Sequence, residues 1–243
     1  MKRVKSVAMK AVLGLILAAI PLIVLAFLLW PSKPAYSEAA EAPILKSVVI
    51  DGKLDEWPSG MQRYTFHNRP GAELQVAYDP DRNLLLVALE VPDDDLVVGH
   101  DWHNTDACEV YTWGGGGSHP SKPMQYALIP GNGEYFAGYG NPFVRAGGKA
   151  TQATGTRTQA AHSYDGKTIT YEWAVEVYDR LIDEPAKLTA NKEIGFDVVI
   201  VDKESNGHHN WIPWGSPDVH KFERPKNLGR LKLLADTVLS SPR

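Results

Sequence analysis

The clearest pattern in the chain is Thr168-Ile169-Thr170-Tyr171-Glu172-Trp173-Ala174-Val175-Glu176-Val177. Its large apolar residues, at positions 169, 171, 173, 175 and 177, alternate with Thr, Glu and Ala. Successive side chains of a β-strand point to opposite faces, so the large residues share one face. This stretch therefore predicts a long strand with one buried face and one wet face.

Similar signals recur along the chain. Residues 73–79 alternate in the same way, whereas 84–91 is apolar almost throughout, as in a strand covered on both faces. Further strand-like stretches are 107–113, 124–129, 134–139 and 194–201. No segment after residue 43 shows a helical period over 12 or more residues. Roughly ten short strands with almost no helix predict an all-β domain, a β-sandwich of two antiparallel sheets.

The N-terminus differs from the rest. Residues 11–30 form an uncharged run of 20 residues, long enough to cross a bilayer as one helix, and Lys2, Arg3, Lys5 and Lys10 precede it. The basic flank predicts a membrane anchor with the remaining chain outside the cytoplasm. The alternative is a secretion signal that is cleaved by about residue 39, because small residues follow the run. Both interpretations export the domain.

The predicted organisation has four parts. Residues 1–30 are the cytoplasmic stub with the anchor or signal, and 31–43 are a linker rich in Pro, Ala, Ser and Glu. Residues 44–235 form the β-sandwich and 236–243 a tail. Residues 1–42 hold five of the 25 basic and two of the 29 acidic residues, so the remainder carries 20 and 27, a net charge of −7. That charge argues against a nucleic-acid partner.

Residues 206–233 concentrate aromatic and imidazole side chains among Gly, Pro and Asn. The composition predicts a loop for most of this stretch, ending in a strand at Leu231 and Leu233. Loops run over the surface and carry binding residues more often than core residues. We therefore interpret this loop as part of a binding surface.

Five motifs occur in the order seen in family-nine carbohydrate-binding modules. They are Asp51-Gly52-Lys53-Leu54-Asp55-Glu56-Trp57, Trp102 with Asp106 and Glu109, Tyr171-Glu172-Trp173-Ala174-Val175, Ile194-Gly195-Phe196-Asp197 with Asp202, and Leu228-Gly229-Arg230-Leu231. The chain resembles this family over about residues 44–234. The resemblance implies an immunoglobulin-like or jelly-roll β-sandwich that binds sugars, with calcium ions bracing loops. It also implies two tryptophans that clamp a sugar at a chain end and polar neighbours that bond its hydroxyls.

Carried onto this chain, the resemblance assigns the first clamp position to Trp102 and hydroxyl binding to Glu109, with Asp106 between them. The second clamp position falls on Phe222, and Trp211 or Trp214 are the alternatives. Flat aromatic faces stack on the C–H faces of pyranoses, and carboxylates and amides bond hydroxyls, which adds Asn210 to the candidates. The alternative is that the tryptophans merely cover the ends of the sandwich and the carboxylates are solvated.

Two kinds of metal site are open from sequence. Asp93, Asp95 and Asp101 offer the oxygen ligands that calcium prefers, although a solvated acidic turn gives the same pattern. Histidines at 100, 103, 208, 209 and 220 raise the alternative of a haem- or metal-binding subunit of an exported redox complex. The single cysteine, Cys108, excludes a Cys-x-x-Cys-His haem motif.

No nucleophile, zinc-protease or acid/base motif is present in the sequence. The sequence therefore predicts a domain, tethered outside the cytoplasm through residues 11–30, that binds a mono- or oligosaccharide between aromatic side chains without transforming it.

Overall fold

The computed structural model describes residues 39–99, 101–115, 122–130, 134–138, 144–146, 156–180 and 184–239. Regular structure in these ranges is β-strand, apart from one turn of 3₁₀ helix at Pro225–Asn227. The all-β prediction is confirmed. None of the described residues forms a helix with the length and apolar character of a membrane span. The predicted span, residues 11–30, lies outside the described ranges.

The strands are numbered in chain order. They are β1 (Ala39–Leu45), β2 (Tyr64–Phe66), β3 (Arg69–Asp79), β4 (Leu84–Pro92), β5 (Ala107–Trp113), β6 (Met124–Ile129), β7 (Glu134–Gly138), β8 (Val144–Ala146), β9 (Gln159–Tyr164), β10 (Thr168–Val175), β11 (Tyr178–Arg180), β12 (Glu184–Pro185), β13 (Glu193–Lys203), β14 (His209–Pro213) and β15 (Gly229–Leu239).

Hydrogen bonds join thirteen of the described strands into one main sheet, in the order β8-β7-β6-β5-β13-β15-β1-β3-β4-β10-β9, with β14 beside β13 and β2 beside β3. Strand β1 pairs parallel with both β15 and β3, whereas the other described ladders are antiparallel. Strands β11 and β12 form a separate ribbon. The prediction of two separate antiparallel sheets therefore needs correction, because β1 connects the halves of one sheet. We call β3, β4, β10 and β9 the first half, and β5, β6, β13 and β14 the second half.

The main sheet folds back so that the inner faces of its two halves pack together. The rings of Tyr126 on β6 and Trp173 on β10 lie 6.5 Å apart, although these strands are near opposite ends of the strand order. The Tyr126 hydroxyl also donates to the Glu176 carbonyl at 2.9 Å. We call the apolar interior between the two halves the main core. The apolar face predicted for β10 is its inner face, and the residues of that face all lie in the main core, namely Ile169, Tyr171, Trp173, Val175 and Val177.

The outer face of the first half is buried as well. Glu172 and Ala174 on β10 are 0% exposed, which corrects the expectation that this face is wet. The chain between Leu45 and Met61 lies across it and packs Trp57 against the strands. Alternation predicted the two faces of β10 correctly, but it gives no sign of a segment distant in sequence that covers the second face.

The ends of the domain extend further than the composition indicated. Strand β1 begins at Ala39, inside the stretch interpreted as a linker, and β15 continues to Leu239, inside the predicted tail. Both segments gain their order from pairing with each other, from Ala39 opposite Arg230 to Leu45 opposite Leu239. Such pairing depends on long-range contacts more than on local propensity.

Candidate functional site

The outer face of the second half carries aromatic side chains over a buried glutamate. Alternation along β5 places Glu109, Tyr111 and Trp113 on this face and turns Cys108 and Val110 into the main core. Strand β5 therefore supplies the floor of the candidate site with its odd-numbered residues.

Three more aromatic residues reach this face from other segments. Trp102 comes from the loop before β5, Trp211 from β14, and Phe222 from the loop after β14. We call Trp102, Tyr111, Trp113, Trp211 and Phe222 the aromatic cluster. Trp102 is 8% exposed, while Trp211 and Phe222 are half-buried. The structure thus brings together four of the sequence-predicted residues, Trp102, Glu109, Trp211 and Phe222.

Glu109 lies at the centre of this cluster and is 1% exposed. Its Oε2 accepts hydrogen bonds from the Tyr111 hydroxyl at 2.8 Å and from Trp211 Nε1 at 3.2 Å. Its Oε1 accepts a long hydrogen bond of 3.4 Å from Gln125 Nε2. Burial raises the pKa of Glu109, and the bonds from Tyr111 and Trp211 oppose that rise. A carboxylate has about four lone-pair sites, so Glu109 retains capacity to accept a further hydroxyl.

A tight turn presents Trp102. Asp101 accepts hydrogen bonds from the His103 backbone N–H at 3.0 Å and from Asn104 Nδ2 at 2.8 Å, which closes the turn. The His103 ring then packs on the Trp102 ring, with centroids 4.1 Å apart. Asp101 therefore shapes the loop that carries Trp102.

Trp214 lies on the other side of β14. Because side chains alternate along the strand and its continuation, Trp211 points outward while Ile212 and Trp214 point into the main core. Trp214 is 4% exposed, and its ring packs near Phe196 and Tyr64, with centroid distances of 5.8 and 5.9 Å. This placement leaves Trp211 and Phe222 as the candidates for the second clamp position.

Asp106 and Asn210 belong to a different group. Asp106 lies with Asp93 and Asp202 in a set of carboxylates whose oxygen atoms are within 4.8 Å of one another. Asn210 Nδ2 donates to Asp202 Oδ2 at 3.1 Å. We call Asp93, Asp106 and Asp202 the acidic group. Both of the predicted polar residues are thus placed beside carboxylates, and not beside Glu109.

Two sets of donors compensate the charge of the acidic group. Arg69 Nη1 contacts Asp202 Oδ2 at 2.9 Å, and its Nη2 lies 3.9 Å from Asp93 Oδ2. The backbone N–H groups of Val97 and Lys203 donate to the two oxygens of Asp106 at 2.6 and 2.8 Å. Burial still raises the pKa of Asp106 to about 7, against the lowering effect of these two bonds.

The acidic group does not fit the calcium ion that the resemblance implies unless Arg69 moves. A calcium ion takes six to eight oxygen ligands, and the Asp202 and Asp93 oxygens that it would need face the Arg69 guanidinium. The acidic group instead forms a hydrogen-bonded network in which the Arg69 guanidinium is the cation.

The predicted calcium ligands Asp93, Asp95 and Asp101 do not converge. Asp95 Oδ2 accepts from the Ser205 backbone N–H at 2.8 Å and from the Ser205 hydroxyl at 2.7 Å. Asp101 closes the Trp102 turn, so only Asp93 belongs to the acidic group. The predicted set is therefore corrected, because short turns separate carboxylates that are near in sequence.

The histidines form no metal centre in the described ranges. The only cluster of three potential ligands found there is the acidic group, and it contains no histidine. His103 packs on Trp102, and His208 Nδ1 lies 3.3 Å from Asn210 Nδ2. His100 lies outside the described residues. No observation in the described chain favours the haem or transition-metal alternative.

Sequence reasoning missed Tyr111, Gln125, Lys221 and Arg69. Tyr111 and Glu109 are two residues apart on one strand, so alternation alone could have placed them on the same face. Gln125 gave no such signal, because its position opposite Tyr111 depends on the pairing of β5 with β6. No sequence pattern singles out Lys221 or Arg69, and only the folded chain shows what surrounds them.

A cavity of about 610 Å³ lies elsewhere, along β1 and β15, with Glu41, Tyr64 and Arg230 among its lining residues. It shares no residue with the aromatic cluster. Its lining brings no buried carboxylate together with aromatic faces, so we take the aromatic cluster as the candidate site on chemical grounds.

Comparisons with known proteins give the family of the chain. The model of the carbohydrate family 9 binding domain-like family matches residues 50–236. Two structures of a carbohydrate-binding module of family 9 from Caldicellulosiruptor kristjanssonii are similar, one in complex with cellotriose and one with glucose. The first is 15% identical with a TM-score of 0.59, covering 85% of this chain and 100% of its own; the second is 16% identical with a TM-score of 0.59, covering 84% and 100%.

A putative carbohydrate-binding protein from Bacteroides uniformis is also similar, at 11% identity and a TM-score of 0.55, over 81% of this chain and 99% of its own. No curated protein matches the chain. At these identities the solved structures support the fold, and the family match carries the assignment. The resemblance drawn from the five motifs is confirmed, and the chain belongs to the carbohydrate family 9 binding domain-like family.

Proposed function

We propose that the chain is a non-catalytic carbohydrate-binding module whose sugar site is the aromatic cluster around Glu109. The observation that carries the proposal is a carboxylate, 1% exposed, enclosed by tryptophan and tyrosine side chains on an outer sheet face. Sugars require this combination, because their C–H faces pack on aromatic rings while their hydroxyls need charged or amide partners. Family membership and the sugar complexes of similar structures support the same conclusion.

Each residue has a defined role in the proposal. Trp102 and Trp211 supply the rings on which the sugar stacks, and Phe222 extends the apolar wall. Glu109 accepts hydroxyl hydrogen bonds through Oε1, while the bonds from Tyr111 and Trp211 hold Oε2 in place. The sugar is uncharged, so Glu109 binds it through hydrogen bonds and not through an ion pair.

The geometry supports binding without hydrolysis. Glycoside hydrolysis uses a pair of carboxyl groups that flank the scissile bond. Asp197 on β13 lies on the same outer face of the sheet as Glu109. Lys221 Nζ and two backbone N–H groups, however, donate hydrogen bonds to its oxygens. Glu109 therefore has no free carboxylate partner within the described part of the site.

We also propose that residues 11–30 tether the module to the membrane and display it outside the cytoplasm, or that cleavage by about residue 39 releases it. Cleavage there would fall at the start of β1, which begins at Ala39. N-terminal sequencing of the mature protein after membrane fractionation distinguishes the two. An intact residue 11–30 segment in the soluble cytoplasmic fraction would contradict both.

Titration of the full-length chain with glucose, cellotriose and a wider glycan panel tests the sugar-binding proposal. We expect heat by isothermal titration calorimetry and a change in tryptophan fluorescence with at least one sugar. Trp102→Ala and Trp211→Ala should abolish both signals, whereas the control Val49→Ala, at a residue that is 57% exposed and outside the site, should not. Absence of heat and fluorescence change with every glycan would overturn the proposal.

A further inference from the structure

A lysine is fully buried beneath the aromatic cluster. Lys221 and Asp197 are each 0% exposed, and Lys221 Nζ lies 2.5 Å from Asp197 Oδ2. Lys221 Nζ also donates to the Ser216 carbonyl oxygen. Burial lowers the pKa of Lys221 and raises that of Asp197, and the charge of each partner opposes the effect on the other. Fully buried lysines are rare unless they are paired, and even a buried ion pair contributes little net stability because both charges lose their water. A role other than stability is therefore worth seeking for this pair.

The pair closes a loop onto the sheet. The other Asp197 oxygen, Oδ1, accepts from the Gly215 N–H at 2.7 Å and from the Val198 N–H at 2.9 Å. Asp197 on β13 therefore binds both ends of the segment from Gly215 to Lys221. A side chain at 215 would place its Cβ 3.0 Å from Asp197 Oδ2, a tight contact that glycine avoids.

The loop held in this way carries part of the proposed sugar site. Phe222 follows Lys221 directly and packs with the aromatic cluster. Lys221 Nζ also lies 5.5 Å from the centre of the Trp211 ring, at a distance typical of cation–π contacts. Asp197 stands opposite Tyr111 on β5, whose hydroxyl donates to Glu109. The pair thus adjoins three of the elements that place aromatic side chains around Glu109, namely β5, β14 and the loop after β14.

We propose that the Lys221–Asp197 pair is the positioning element of the sugar site, which fixes Trp211 and Phe222 relative to Glu109. The proposal rests on the sugar-binding function proposed above. An apolar pair of similar volume often stabilises a fold as well as a buried ion pair does. The charged pair, unlike an apolar one, makes specific hydrogen bonds to Gly215 and Ser216. These bonds fix the position of the loop and therefore of Phe222, which follows Lys221.

The test uses the full-length chain and the double variant Asp197→Asn/Lys221→Met, which removes both charges and keeps an acceptor for the Gly215 N–H. We expect this variant to fold with a melting temperature near that of the parent. Its affinity for cellotriose and glucose should be about 10-fold or more weaker, because a site that is loose by about 1 Å loses its binding geometry. Lys221→Met alone leaves Asp197 buried without its cation, so its failure to fold would be consistent and the double variant decides.

A second measurement keeps the proposal separate from sugar binding. Acrylamide quenching is measured for the parent and for the double variant, each with and without Trp211→Phe. The difference that Trp211→Phe makes in each chain reports how accessible the Trp211 ring is. We expect quenching of Trp211 to increase in the double variant even without sugar. Unchanged quenching, or unchanged affinity in a chain that binds sugar, would overturn the positioning role. If the parent binds no glycan but Trp211 quenching rises in the double variant, the sugar function fails while the positioning role stands.

Discussion

The outer faces of the two halves of the sheet each hold a buried glutamate that accepts a tryptophan indole N–H. On the first half, Trp57 Nε1 donates to Glu172 Oε1 at 3.0 Å. On the second half, Trp211 Nε1 donates to Glu109 Oε2 at 3.2 Å. Both carboxylates are at most 1% exposed, and burial raises the pKa of both. The same pair of residue types therefore occurs twice, in two different settings.

The difference lies in the other donors. Glu172 Oε2 accepts the backbone N–H groups of Asp51 and Gly52 at 2.9 and 3.1 Å, so the main chain fixes its partners. Gly52 has a φ of +83°, and a Cβ there would lie 2.5 Å from the His162 carbonyl carbon, so the chain can pass this closely only as glycine. Glu109, in contrast, accepts hydrogen bonds from the side chains of Tyr111 and Gln125.

This contrast supports a structural role for Glu172 and the binding role that we propose for Glu109. Backbone donors cannot leave Glu172 without unfolding the segment between Leu45 and Met61. Side-chain donors can rotate to admit a ligand hydroxyl, at the cost of rotamer changes and not of the fold. We infer that the first face stabilises the domain and that the second face is available for recognition.

The largest expected effect is on the first face. Glu172→Ala orphans two backbone N–H groups and the Trp57 indole, so we expect a loss of about 3–5 kcal/mol in the free energy of unfolding. Urea denaturation followed by circular dichroism measures it. The folded fraction should bind sugar with unchanged affinity. A loss below about 1 kcal/mol would remove the structural role of this face.

The second effect is on binding at the other face. Glu109→Gln preserves the size of the side chain but removes its charge, so sugar affinity should fall about 10- to 100-fold, as for loss of a hydrogen bond to a charged group. Calorimetric titration with the best glycan measures the change. Glu172→Gln is the matched control, because the same substitution on the first face should lower stability and leave affinity unchanged. Equal affinity loss in both variants would end the distinction between the faces.

A smaller effect tests the acidic group, where Arg69 of the first half meets Asp202 of the second half. Burial raises the pKa of Asp106 in the folded chain to about 7, whereas an unfolded aspartate has a pKa of about 4. The folded state therefore binds more protons in this window, and the contribution of Asp106 to stability falls as the pH rises.

In Asp106→Asn this contribution disappears. In the parent, Asp106 lowers the free energy of unfolding by about 1 kcal/mol as the pH rises from 5 to 6. The variant should lack this decrease. Urea denaturation at a series of pH values measures the slope. Identical slopes in the two chains would show that the proton on Asp106 is not linked to folding.

The smallest expected effect concerns calcium. Because the Arg69 guanidinium already occupies the side of Asp202 and Asp93 that an ion would need, we expect EDTA or calcium to shift the melting temperature of the parent by less than about 2 °C. Arg69→Met removes the built-in cation, so calcium should then raise the melting temperature in a concentration-dependent way. A large calcium-dependent shift in the parent would instead indicate that a metal ion links the two halves.

Much of the fold could be predicted from local patterns. Alternation from Ile169 to Val177 gave the inner face of β10 correctly, since the face of a strand is a local property of the chain. The continuous apolar run at 84–91 likewise gave a strand covered on both faces. The parallel pairing of β1 could not be predicted, because its partners lie up to about two hundred residues away and the stretch is Ala-rich and weakly strand-forming.

The candidate site was predicted in part. Trp102 and Glu109 were expected to face residues of the 206–233 loop, and the structure brings them beside Trp211 and Phe222. Composition alone could not tell which of Trp211 and Trp214 faces the site. In the folded chain, the alternation of side chains along β14 and its continuation places them on opposite faces. Their role in sugar binding stays a prediction that the variants above test.

The sequence by itself determined the all-β class, the family and the residue types of the site, because side-chain chemistry and strand periodicity are properties of neighbouring residues. Only the tertiary structure decided that Asp106 belongs to the acidic group, that Glu172 and Glu109 differ in their donors, and that Lys221 lies buried beside Asp197. Each of these depends on which distant strand or loop supplies the neighbouring group. Hydrogen bonding and burial between distant segments set that choice, and no local pattern records it.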